Sequence, residues 1–195
     1  MSILKKQKQL MVVFGSPNSD GNTRVLLSSF LRLFELSDDW SIVQFNAYEL
    51  NAHPCTGCKA CAKKEMCIFD DLDEFQKQLK KSDLLVFASP VYNFSFPSPI
   101  KAILDRMQRY FEARFSLNKN PPIKKHRDAV LLLTMGSEDE YAVDITNYQL
   151  KRIFSVMNTD LKGCVVWKST DLGIKNRAVS MIAAGRLAEN LMKEQ

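Results

Sequence analysis

Two hydrophobic rhythms alternate along the chain. Residues 10–14, 84–88 and 129–133 are unbroken apolar pentads, too short for helices and too continuous for strands with a wet face, so they predict strands covered on both sides. Residues 42–45 and 164–167 predict two further strands. Between them, apolar residues recur every three or four positions and predict helices. These are Leu26, Phe30, Leu33 and Phe34; Leu72, Phe75 and Leu79; Ile100, Ile103, Leu104, Met107 and Phe111; Leu150, Ile153, Phe154 and Met157; and Met181, Ala184, Ala188 and Leu191. Asn22 or Thr23 is the expected N-cap of the first helix, and residues 115–125, with Pro121 and Pro122, read as a long surface loop. Five strand–helix units joined by right-handed crossovers make an α/β fold, a doubly wound five-stranded parallel sheet with helices on both faces. Residues 1–195 are expected to form one domain, with strand order 2-1-3-4-5. A ligand then belongs where the winding reverses, between the carboxyl ends of the first and third strands.

Composition narrows the choice of ligand. A chain of 195 residues, 46% hydrophobic, suits one substantial core. The apolar pentads fall far short of the roughly 20 residues of a membrane span, and the polar, basic first nine residues do not resemble a secretory leader. A cytoplasmic protein is the expectation. The net charge of +5 lacks the dense basic stripe of a nucleic-acid binder, and the basic clusters at 5–8 and 124–127 hold no aromatics for stacking on bases. Small anionic ligands suit it better. No Ser-His-Asp or paired-carboxylate arrangement is evident, and neither His53 nor His126 has an assigned partner.

The loop leaving the first strand, residues 15–23 (GSPNSDGNT), runs straight into a helix N-terminus. Backbone N–H groups and the helix dipole attract an anion there. Gly15 and Gly21 permit close backbone approach, and Ser16, Asn18, Asn22 and Thr23 add side-chain donors. The loop lacks both the lysine of a P-loop and the glycine spacing of a dinucleotide fingerprint. The loop leaving the third strand, residues 89–99 (SPVYNFSFPSP), is stiffened by prolines and offers Tyr92, Phe94 and Phe96 as flat apolar area. A phosphate cradle facing an aromatic wall suits a mononucleotide with a large planar ring, FMN above all. Thr134 and Gly136, after the fourth strand, are placed to approach the other edge of that ring.

These two loops, together with Lys101 and Asp105-Arg106, resemble those of the flavodoxin-like NAD(P)H-dependent FMN reductases, a family that includes quinone reductases, azoreductases and iron-sulfur flavoproteins. The resemblance implies phosphate contacts at Ser16, Asn18, Asn22 and Thr23, and ring contacts at Pro90, Val91, Tyr92, Asn93 and Phe94. It implies a flavodoxin-like fold and a homodimer or homotetramer. It also implies an FMN-dependent oxidoreductase that takes a hydride from NADH or NADPH and reduces a quinone, flavin, azo compound or similar small acceptor.

Cys55, Cys58, Cys61 and Cys67, with two, two and five residues between them, can converge on one soft metal centre. Iron-sulfur flavoproteins resemble this stretch in that spacing, which implies ligands for a [4Fe-4S] cluster and an electron carrier served by a protein such as ferredoxin. Structural zinc and free thiols are the alternatives; a flavin-binding partner protein without turnover is a further one. Cys164, in a predicted core strand, reads as a small buried hydrophobe.

Overall fold

The computed structural model describes residues 7–172 and 176–194, so Lys5 and Lys6 of the first basic cluster lie outside the described residues. The three pentads become the centres of β1 (Lys8–Phe14), β3 (Leu84–Pro90) and β4 (Arg127–Thr134), flanked by β2 (Trp40–Asn46) and β5 (Thr159–Trp167). All neighbours pair in parallel in the order β2-β1-β3-β4-β5, as the pattern predicts. Successive side chains of a strand point to opposite faces, so one continuous apolar run supplies two cores. Met11, Val13, Leu85, Phe87 and Leu131 meet α3 (Asp73–Lys81), α4 (Ser98–Arg106), α5 (Gln108–Phe115) and α6 (Glu140–Phe154). Leu10, Val12, Phe14, Val86 and Leu132 meet α1 (Asn22–Glu35) and α7 (Arg177–Glu194). Among the described residues no helix is long and apolar enough to cross a membrane.

The structure corrects the sequence pattern in several places. The helix expected through Phe111 breaks at Met107 into α4 and α5. The buried stripe then passes to Tyr110, while Phe111 is left exposed. Tyr110 keeps a partner in the core because its hydroxyl donates to Gln76 Oε1. Gly21, not Asn22 or Thr23, is the N-cap of α1. Leu72 precedes α3 and Met157 follows α6. Leu33 is partly exposed. β5 is longer than its apolar core because residues 159–163 alternate polar and apolar as an edge strand; pairing steps from Leu161↔Ala129 to Gly163↔Val130, leaving Lys162 as an extra residue. Ile123 anchors the 115–125 loop in the core, and Asn158 Nδ2 donates to its carbonyl at 3.2 Å. Cys164 packs against the α6-side core, where burial pushes its thiol up to about 11.

Candidate functional site: a flavin crevice and a cysteine cavity

The carboxyl ends of β1 and β3 open onto one rim, and backbone geometry builds both of its walls. Gly15 N donates to Ala88 O at 2.8 Å, tying the first loop to β3. A Cβ on Gly15 would lie 2.0 Å from Ile100 Cδ1, so only glycine lets α4 pack this close beneath the loop. Ser16, 5% exposed, folds the loop on itself: its hydroxyl accepts from Asn18 N and donates to Asn18 O, both at 3.2 Å. Asn18 Oδ1 accepts from Asp20 N at 3.0 Å. No side chain caps α1, whose first turn carries no acidic residue, and Asn22 is exposed there. The first N–H groups of α1 thus face the rim with the positive end of the helix dipole behind them.

The opposite wall is a tight hairpin. Tyr92 and Ser95 exchange two backbone hydrogen bonds of 2.9 Å, and Asn93 and Phe94 between them adopt left-handed φ values of 48° and 61°. Asparagine tolerates that region and phenylalanine does not, so the turn holds Phe94 out against a local backbone penalty. Tyr92 and Phe94 are each about half exposed at the rim, 46% and 48%. Pro90 closes β3, and Val91 N donates to Thr134 O at 2.9 Å.

Not every residue expected at the crevice is open to a ligand. Phe96 is buried in the core. Thr23 and Thr134 are 2% and 4% exposed and share a 2.7 Å hydroxyl–hydroxyl bond, a clasp between α1 and β4 beneath the crevice floor. Gly136 lies against Asp171, whose carboxylate comes within 2.1 Å of where a Cβ would stand. Two rim residues escaped the sequence reading. Arg24 donates to Ser19 O at 3.1 Å and to Gln44 Oε1 at 2.9 Å, with its guanidinium 4.0 Å over the Phe14 ring. Tyr48 follows β2; burial and the neighbouring Tyr92 raise its pKa. Arg24 at an N-terminal helix turn was a legible signal, whereas the nearness of Tyr48 to Tyr92 depends on the sheet order.

The four clustered cysteines form a second feature on the α4–α5 side. Gly57 and Lys59 take left-handed φ values of 67° and 62°, which bends the segment tightly ahead of the single turn α2 (Ala60–Lys63), an element absent from the sequence pattern. None of the four is in a disulfide; Cys55 and Cys58 are exposed, Cys61 and Cys67 half-buried. With Lys59, Arg106, Arg109 and Glu112 they line one cavity of about 380 Å³. Among the described residues no three of these sulfurs lie within 4.8 Å of one another. Four free thiols lining one cavity give the soft, all-sulfur donor set that a thiolate-bound iron-sulfur group requires. Burial and the nearby Glu112 carboxylate push the Cys61 thiol up.

Long-range side-chain ties hold this segment down. Arg106, 4% exposed, donates through Nη1 to His53 O at 3.0 Å and through Nη2 to Phe69 O at 3.0 Å and Asp71 Oδ1 at 2.7 Å. Burial works against the Asp71 carboxylate, but Arg106 and the His53 N–H outweigh it and hold its pKa below the ordinary value. Lys59 pairs with the buried Glu112 at 3.1 Å, and Glu65 binds both Lys80 (3.0 Å) and Lys119 (2.7 Å). Both histidines have carboxylate partners: His53 Nδ1 lies 3.2 Å from Asp71 and His126 Nε2 3.3 Å from Asp160.

Known proteins resemble this chain in sequence and in fold. A family profile described as NADPH-dependent FMN reductase matches residues 9–169. An iron-sulfur flavoprotein of Archaeoglobus fulgidus is 32% identical over 99 residues, 50% of this chain and 44% of its own. One of Methanocaldococcus jannaschii is 34% identical over 96 residues, 48% of this chain and 49% of its own. The chain thus spans about half the length of these curated relatives. The solved structure of an NAD(P)H:quinone oxidoreductase from Methanothermobacter marburgensis superposes with a TM-score of 0.71 at 18% identity, covering 95% of this chain and 96% of that one, and so shares the fold.

Proposed function

The chain belongs to the NADPH-dependent FMN reductase family, and from that premise we propose that it is an FMN-dependent NAD(P)H oxidoreductase reducing a small acceptor such as a quinone, free flavin or azo compound. The observation that carries this reading is the uncapped N-terminus of α1 facing the strained Tyr92–Ser95 hairpin across the point where the sheet winding reverses. FMN, when bound, supplies the hydride and electron transfer itself, so the protein needs no acid–base set. Its own residues bind and orient. Ser16, Asn18, Gly21 and Asn22 with the α1 N–H groups hold the phosphate, and Arg24 adds positive charge beside them. Pro90, Val91, Tyr92, Asn93 and Phe94 hold the ring, and Gly136 flanks its far edge. Thr23 and Thr134 act through their clasp, which keeps the two walls in register. Donor and acceptor use the same open face in turn, which predicts ping-pong kinetics.

The test is an absorption spectrum of the purified protein, followed by NADH and NADPH oxidation in the presence of a quinone. Bound FMN and rapid bleaching by the nicotinamide support the reading. A colourless protein that takes up no FMN at micromolar concentration overturns it.

The cysteine cavity favours a second role for the same chain. The shared cavity and the free thiols of Cys55, Cys58, Cys61 and Cys67 fit a [4Fe-4S] cluster that exchanges single electrons with a carrier protein such as ferredoxin. Brown protein containing iron and acid-labile sulfide supports it; a yellow, iron-free protein after anaerobic purification removes it. Self-association into a homodimer or homotetramer also belongs to the proposal. Tyr141, Ile145 and Tyr148 form an exposed apolar stripe on α6, and Phe111 and Phe115 on α5 are exposed as well. Light scattering that reports a monomer contradicts it.

A further inference from the structure

Three cations line the cysteine cavity, and they are not equivalent. Lys59 is largely exposed and already paired with Glu112. Arg109 donates to the backbone carbonyl of Glu65 at 3.0 Å. Only Arg106 is buried, so its charge is the least screened by water. Its hydrogen bonds reach both sides of the cysteine run, His53 before it and Phe69 and Asp71 after it. The Nε–H groups of Arg106 and Arg109 are both buried without a hydrogen-bond acceptor, an arrangement that costs free energy unless an anion completes it; what sets Arg106 apart is the burial of its whole side chain and its ties to both flanks of the cysteine run. Cys67 is the thiol beside the guanidinium.

Resting on the reading that the cavity holds a thiolate-bound iron-sulfur group, we propose that Arg106 is its positioning residue: the buried guanidinium closes the cysteine segment around the group and sets its reduction potential. Two tasks meet in one side chain. As a clamp, the planar fork fixes the chain on either side of the four sulfurs. As a charge, it faces a group that gains one electron, and no proton, on reduction. The product is one unit more negative, so a nearby fixed cation favours it and raises the potential. Asp71 tempers this effect by neutralising part of that charge.

The experiment compares the wild-type protein with Arg106→Lys, Arg106→Gln and Asp71→Asn after anaerobic reconstitution with iron and sulfide. It measures iron and sulfide content, and the midpoint potential by dye-mediated titration. Arg106→Gln is expected to shift the oxidised-to-reduced ratio at a fixed potential about tenfold toward oxidised, 59 mV for a one-electron centre. Arg106→Lys keeps the charge and loses the fork, so iron loading falls while the potential of the loaded fraction moves less than threefold in that ratio. Asp71→Asn is expected to shift the ratio toward reduced. A fully loaded Arg106→Gln protein with unchanged potential overturns the proposal while leaving the cluster reading intact. Where Arg106→Gln does not fold, a neutral or downward shift in Asp71→Asn overturns it as well. Failure of the wild-type protein to retain iron and sulfide is a different result, which removes the cluster reading itself.

Discussion

The flavin crevice and the cysteine cavity are built by different means. The crevice is made of backbone: strand ends in register, a glycine under which α4 packs, an uncapped helix start and a hairpin with two left-handed residues. The cavity is made of side-chain ties between distant segments, chiefly Arg106 to Asp71 and Lys59 to Glu112. A backbone-built site is as stable as the sheet beneath it. A site closed by side chains depends on a few ion pairs, so single substitutions should separate the two.

The largest expected effect is at Asp71. Asp71→Ala leaves the Arg106 charge buried without its carboxylate, and breaking such a pair destabilises by about 3 kcal/mol. Urea unfolding should show that loss while FMN affinity stays within twofold; a parallel loss of FMN binding would break the distinction. The same group sets a pH window. Its pKa is lowered in the folded protein, so its contribution is complete above the unfolded value and is lost as pH falls through the still lower folded value. Wild-type protein should therefore lose this stability only in acid, below about pH 4, and Asp71→Asn should lack that component. Urea midpoints at pH 7, 5 and 3 would show it.

Next in size is Gly15→Ala. The added methyl collides with Ile100, and overpacking of this kind costs about 2 kcal/mol. Here FMN affinity should fall together with stability, while the reactivity of the exposed Cys55 and Cys58 thiols stays constant. Unaltered FMN binding in a destabilised Gly15→Ala protein would deny that the crevice is made by backbone.

Asn22→Asp separates binding from folding. A carboxylate in the first turn of α1 favours the helix by a few tenths of a kcal/mol, yet it repels a phosphate. FMN affinity should drop about tenfold, ~1.4 kcal/mol, with no loss of thermal stability. The smallest effect is at Phe94→Gly, which relieves the left-handed backbone and should stabilise the protein by about 0.5 kcal/mol. Weaker FMN binding should accompany that gain, seen by fluorescence titration, and equal affinity would take Phe94 out of the ring wall.

The same contrast explains what could be read from the chain. Strand order, the loop at 15–23 and the aromatic turn at 92–95 were legible because each is a local pattern: an apolar pentad, a glycine pair ahead of a helix, prolines around aromatics. The Arg106 ties were not legible, since Asp71 and His53 lie 35 and 53 residues away and no short motif joins them. The Thr23–Thr134 clasp spans 111 residues. It turned two expected ligand contacts into a structural seam, because a polar side chain beside a crevice points inward when a buried partner awaits it. The break at Met107 was hidden for another reason. Phe111 and Tyr110 both continue a helical repeat tolerably well, and only the Gln76 acceptor in the core decides between them.

That break gives α4 an unusual place in the molecule. Its first residue adjoins the aromatic hairpin and its last is Arg106, so nine residues, about 13 Å of rigid rod, run from one proposed redox site to the other. The spacing between the two is therefore set by one short helix, whichever of them is filled.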